Sequence, residues 1–265
     1  MSLSVRRIGA MVLRYGYLLR SSWLRVLELA YWPTVQVILW GFISQFFMTS
    51  STLLSQVAGL LIAAALLWDV LFRSQLGVSI VFFEELYSRN LGHLFVSPLR
   101  PYELILALMT ISLIRTLIGV GTAALLAIPF YGYSVFSMGL PLLGFFANLM
   151  VMGWAVGLMV AALVLRYGLG AESIAWIAIF ALAPISGIYY PIAILPPWLQ
   201  PVALALPSSH VFEGMRAVLL EHAFRIDQML YAVLLNGVYL AAGVGVFLFS
   251  FHVARQRGLL FQMGE

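Results

Sequence analysis

Few side chains in this sequence could do chemistry, and their types exclude most of it. Lysine and cysteine are both absent, so all fourteen basic residues are arginine. That removes disulfides, thiol catalysis, Cys-ligated metals, Schiff bases, Ser-Lys dyads and the lysine of a P-loop. The chain cannot hydrolyse ATP by P-loop machinery on its own. The histidines, at 93, 210, 222 and 252, share no metal-ligand spacing, so no metal site is expected. Ser208-Ser209-His210 sets hydroxyls beside an imidazole. Adjacent residues do not face each other as a nucleophile and its base must, and no acid is placed beside them. No catalytic residue is expected. What remains is a handful of charges among apolar residues: Asp69, Arg73, Arg115, and glutamates with arginines in 84–103 and 213–225.

The elements that must position these charges follow from composition. Hydrophobic residues make up 63% of the chain and charged ones 9%, against about 45–50% and about 25% in soluble domains. No soluble core hides that much apolar surface, so the solvent is a bilayer. A helix needs about 20 apolar residues to cross ~30 Å of hydrocarbon. The pattern predicts an all-α integral membrane domain over 1–265, with six spans at 30–49, 55–80, 104–130, 138–165, 173–190 and 228–254. A polar turn at 48–56 parts the first two. Residues 4–28 space arginines among large apolar residues, as in an amphipathic helix lying at the inner interface.

Six of the eleven prolines fall between Pro184 and Pro207. Each removes a backbone donor and clashes with the preceding turn, so this apolar stretch cannot be one helix. The expectation is an extracytoplasmic re-entrant helical hairpin over 184–221, between the fifth and sixth spans. The alternative is a seventh, kinked span. Arginine placement decides between them. Six spans with an inner N-terminus put Arg6, Arg7, Arg14, Arg20, Arg25, Arg89, Arg100, Arg166, Arg255 and Arg257 inside, and only Arg216 and Arg225 outside. That asymmetry follows the positive-inside rule, with both termini cytoplasmic. The arginines mark helix ends rather than one basic face, so no nucleic-acid partner is expected. The N-terminus also lacks a cleavable signal pattern and is expected to stay.

On this frame, a rise of 1.5 Å per residue puts Asp69 ~21 Å and Arg73 ~27 Å from an outer start near Ser55. Arg73 can reach the inner headgroups, and Asp69 lies i, i+4 from it on one helix face. Arg115 falls ~18 Å from an inner start near Glu103, close to the midplane, where an arginine costs roughly 2.5–3.5 kcal/mol. It either lines a path that attracts an anionic headgroup or sugar phosphate, or is pinned by Asp69 or backbone carbonyls. Glu213/Arg216 and Glu221/Arg225 have the spacing of helix-surface pairs. GWAVG at 153–157 and the Gly237/Ala241/Gly245 ladder let helices approach closely.

The most informative polar segment is 84–103, where charges alternate with apolar residues before Pro98 and Pro101. It reads as a short helix with a sticky face, which either docks on a partner or rests on lipid. The run SRNLGHLFVSPLRPYE resembles the cytoplasmic signature of the ABC type-2 transporter permeases. YYPIAILPPWLQPVALALPSSHVFEGMRAVL is similar to that family's re-entrant element, with Pro191, Pro196, Pro197, Pro207, Glu213 and Arg216. The resemblance implies the membrane subunit of a bacterial ABC exporter in the cytoplasmic (inner) membrane, among membrane lipids. Two such subunits, as a homodimer or heterodimer, would pair with two ABC ATPase subunits. No cofactor is then expected on this chain, since ATP and Mg would sit on the ATPases. The first inner loop, 84–101, would be the coupling helix, with Glu84, Glu85, Arg89, Asn90, Gly92 and His93 as its contact region. A secondary transporter or channel would need ion-coupling carboxylates in the spans beyond Asp69. A membrane enzyme for lipid-linked substrates would work through His210, Glu213 and Glu221. The short outer loops favour a small or lipid-like amphiphile as cargo.

Overall fold

The computed structural model describes residues 3–50, 52–88, 90–168, 170 and 173–256, without the side chains of 3, 48–50, 52–58, 93, 95 and 96. Among these residues every regular element is helical. α1, Leu3–Arg20, is amphipathic: Met11, Tyr15 and Leu19 recur on one face and are buried, as a 3.6-residue period requires. The helix stops where the Ser21 hydroxyl donates to the Leu18 carbonyl at 2.8 Å, because a serine here satisfies the backbone locally. The expected interfacial segment of 4–28 is therefore shorter. Residues 23–28 instead open α2, Trp23–Ser50.

α2, α3 (Thr52–Tyr87), α5 (Pro101–Tyr131), α6 (Leu140–Tyr167) and α10 (Ile226–Gln256) contain the helices long and apolar enough to cross a membrane, five among the described residues. The span expected at 173–190 is instead α7, Ser173–Ile185, of 13 residues. At 1.5 Å per residue it covers about 20 Å, short of a full crossing. Pro184 and Gly187, at φ +60°, end it. The chain then passes through a 3-10 turn at Ile192–Ile194, the five-residue α8 (Gln200–Leu204) and α9 (Pro207–Arg216) before a π turn leads to α10. Pro207 opens α9, where a missing N–H costs nothing.

α3 is the shaft of the bundle. Its span is 89% buried, against 17% for α2 and 22% for α10. A polar seam with small residues locks it to its neighbours. Ser112 of α5 donates to the Ser74 carbonyl at 2.9 Å, and a Cβ at Gly153 of α6 would lie 1.7 Å from the Ser74 hydroxyl. The 153–157 glycines are thus used inside the chain, where small residues permit close packing. Gly237 and Gly245 meet nothing within 4 Å. Pro33 in α2 deprives the Leu29 carbonyl of its helical donor, and Gly119 of α5 makes room for it. Contacts such as Gly153 on Ser74 and Asn148 on Asn236 make α3, α6 and α10 parallel. One end of the bundle consequently gathers α1, the short helix α4 (Leu91–Val96) and 97–100, and the other gathers 132–139 and 187–225.

Candidate functional site

At the α1 end two buried carboxylates hold the 88–103 segment in place. α3 runs on to Tyr87, so Glu84 and Glu85 form its last turn rather than a loop. As neighbours on a helix they point apart. Glu85 is fully buried and takes Arg14 in a fork of 2.7 and 3.1 Å. Asn90 donates its amide to the same carboxylate at 2.8 Å. Burial, with the Glu85 carboxylate beside it, pushes the Tyr15 phenol well up, so it stays neutral. Glu103, also buried, meets Arg7 at 3.0 Å and accepts the Arg100 backbone N–H at 2.9 Å. Arg7 donates in addition to the Pro98 carbonyl at 2.6 Å. α4 is therefore clamped between α1 and the ends of α3 and α5.

The residues expected from sequence as the contact region lie as follows. Glu85 and Gly92 are buried, and Asn90 is half-buried and occupied. Arg89 and the His93 side chain lie outside the described residues. Among the described residues of 84–101, those exposed are Tyr87, Ser88, Ser97, Pro98 and Arg100. Sequence reasoning passed over Arg7, Arg14 and Glu103. The signal available for Glu103 was its place in the first turn of α5, where an acid can return to the N-cap backbone.

Behind the clamp lies a cavity of about 220 Å³ between α1, α2, α3, α5 and α7. Arg25, Glu28, Arg73, Glu84 and Arg115 are in its wall. Asp69 and Arg73 pair at 2.8 Å, as their spacing predicts. Asp69 is thereby taken, and Arg115 turns to Glu84 at 3.7 Å rather than to Asp69 or a carbonyl. The reason is reach. Arginine and glutamate side chains extend along their helices, so groups several residues apart in depth still meet.

At the opposite end Glu213 and Arg216 do pair, at 3.0 Å, but not on an open surface. Arg216 is buried and donates to the Gly187 carbonyl at 2.7 Å, while Glu213 accepts the Ile192 N–H at 2.8 Å. Together they hold the turn that carries Pro191. Pro196 and Pro197 lie in the turn that leads to α8. Glu221 and Arg225 form the exposed pair expected of them. Ser208 bonds Ser186, and His210 bonds Gln228 and the Leu204 carbonyl. No serine–histidine hydrogen bond joins them among the described residues.

This arrangement is a positively and negatively charged clamp at one end of an apolar bundle, with a proline-rich cap at the other. The sequence profile of the ABC-2 type transporter family matches residues 16–220, from the second half of α1 to the π turn before α10. The chain belongs to the ABC-2 type transporter family. As an ABC-2 type membrane component it is a multi-pass membrane protein and the transmembrane part of an ABC transporter. Such a part carries transport, not catalysis, and implies a partner ATPase. No curated protein matches the chain.

Proposed function

We propose that this chain is the permease half of an ABC exporter in a bacterial cytoplasmic membrane. Two copies would form the transport path and bind two ATPase subunits at the α1 end. In this reading α7 and the cap at 187–195 together complete a sixth crossing, and 187–221 forms the re-entrant outer cap. Both termini are then cytoplasmic. The single observation that carries the reading is the clamp of Glu85 and Glu103 on α1. A helix that only rests on lipid needs no such bracing. A helix that transmits force from an ATPase does.

The docking surface in this reading is Tyr87, Ser88 and Ser97 to Arg100; the contacts that the sequence pattern assigns to Arg89 and His93 belong to the same proposal. Glu85, Asn90 and Gly92 hold it in position. Movement of that surface would carry α1 with it, since Arg7 and Arg14 tie the two together. α1 connects through Ser21-Ser22 to α2, so the same movement reaches the wall of the charged cavity. Exposed faces of α2 and of α7, with Trp176, Ile177 and Phe180, supply the surface for the second copy. An ion-coupled transporter is disfavoured because Asp69 is already closed by Arg73.

The test is to purify the chain with each ATPase encoded beside it. Co-elution with ATP hydrolysis that Glu85→Gln uncouples supports the reading. Failure of every candidate ATPase to bind would sink it.

A further inference from the structure

Arg115 is a buried charge near the α1 end whose carboxylate partner stands off at long range. Its Nε is buried with no hydrogen-bond partner, and its nearest carboxylate oxygen, on Glu84, is 3.7 Å away. That distance lies beyond a direct hydrogen bond. Arg73, one helix away, meets Asp69 at 2.8 Å. A guanidinium has five donors, and buried donors are normally filled. The space for a filling group is present, because Arg115 borders the 220 Å³ cavity.

The shape and charge of that cavity specify the group. Its volume is below the roughly 300–1,000 Å³ that encloses a whole small ligand, so it suits a headgroup whose chains stay outside. Its depth is right as well: Arg25 lies in the first turn of α2 and Glu84 in the last turn of α3. With Arg73 closed by Asp69, the remaining charges in the cavity wall are Arg25 and Glu28 on α2, Glu84 on α3 and Arg115 on α5. Two cations against two anions are balanced. A dianion would leave both carboxylates opposed by like charge, whereas a headgroup with one phosphate and one amine meets both pairs. Arginine is also the side chain best matched to phosphate oxygens.

We infer that this cavity seats a zwitterionic headgroup of a membrane amphiphile, with its phosphate on Arg25 and Arg115 and its amine on Glu28 and Glu84. The inference rests on the transport reading and names the class of cargo that would enter from the α1-end leaflet. An ordinary bilayer lipid and an exported amphiphile share this chemistry, so the test must separate them.

The full chain, delipidated in neutral detergent, is titrated by native mass spectrometry with dihexanoyl phosphatidylethanolamine, dihexanoyl phosphatidylglycerol, dihexanoylglycerol and inorganic phosphate. The expected result is saturable binding of one phosphatidylethanolamine per chain. Phosphatidylglycerol and inorganic phosphate should bind at least tenfold more weakly, and dihexanoylglycerol should not saturate. Arg115→Gln should weaken phosphatidylethanolamine at least tenfold. Because that variant alters a buried residue, Glu28→Gln on the exposed side of α2 is the second. It should erase the preference for phosphatidylethanolamine over phosphatidylglycerol. Equal binding of both lipids by the unsubstituted chain, or unaltered discrimination in Glu28→Gln, overturns the inference. In proteoliposomes with the partner ATPase, ATP-driven transfer of a fluorescent phosphatidylethanolamine between leaflets supports it as cargo. Saturable binding without transfer overturns the cargo assignment. Binding needs no ATPase, so failure of ATPase co-purification would sink the transport reading and leave this titration untouched.

Discussion

The clamp on 88–103 and the cavity behind it use the same types of side chain, arginine and glutamate, to opposite ends. In the clamp, Glu85 has Arg14 and Asn90 within 3.1 Å, and Glu103 has Arg7 and the Arg100 N–H within 3.0 Å. In the cavity, Arg115 has Glu84 no closer than 3.7 Å; its buried Nε, like that of Arg7 in the clamp, has no hydrogen-bond partner. Charges held by several partners at close range fix a structure, because removing any partner strands another. Charges without a close ionic partner can take a ligand without first breaking a short ion pair. The difference separates a coupling element from a binding element within one end of the molecule.

Substitutions that probe the clamp should have the largest effects. Glu85→Ala strands Arg14 and Asn90, and should lower stability by about 2–4 kcal/mol, read as thermal unfolding in detergent. The lower part of that range applies if Arg14, which is half-exposed, turns to water. Gly153→Leu tests whether the seam that supports the clamp is as tight as it looks. Its side chain would run into Ser74 and cost about 1–3 kcal/mol by overpacking. Arg216→Ala at the opposite end leaves the Gly187 carbonyl bare in a buried site, for about 1–3 kcal/mol. Protease cleavage at 187–195 should rise with it. Arg225→Gln, which breaks only an exposed pair, should leave the melting temperature unchanged. If Glu85→Ala behaves like Arg225→Gln, the clamp is a surface feature and the comparison fails.

Much of this was legible in the sequence. The amphipathic α1, the apolar spans and the Asp69–Arg73 pair follow from period and spacing, which local backbone geometry imposes. The end of α1 was hidden because apolar residues continue through Leu24, Val26 and Leu27, and the helix ends where the Ser21 hydroxyl bonds the Leu18 carbonyl. Glu84 and Glu85 read as loop because two acids rarely end a membrane helix, yet Arg14 and Arg115 each take one of them. Those partners sit 71 and 31 residues away in the chain, and spacing cannot show such pairings. α7 was read as a full span because its apolar run continues past Ile185, where Pro184 and Gly187 bend the chain away. Glu213 and Arg216 had the spacing of a surface pair, and only packing reveals that they grip a loop.

The central claim is that the braced surface beside α4 is where a partner ATPase sits. The chain has no cysteine, so single cysteines report position without a background. Ser97→Cys places one on the exposed edge of the clamp, and Ser137→Cys places one at the opposite end. Each variant would be co-expressed with the adjacent ATPase and treated with a short thiol-to-amine crosslinker. The account predicts a permease–ATPase product from Ser97→Cys that Glu85→Ala reduces, and none from Ser137→Cys. A product from Ser137→Cys with none from Ser97→Cys would contradict it.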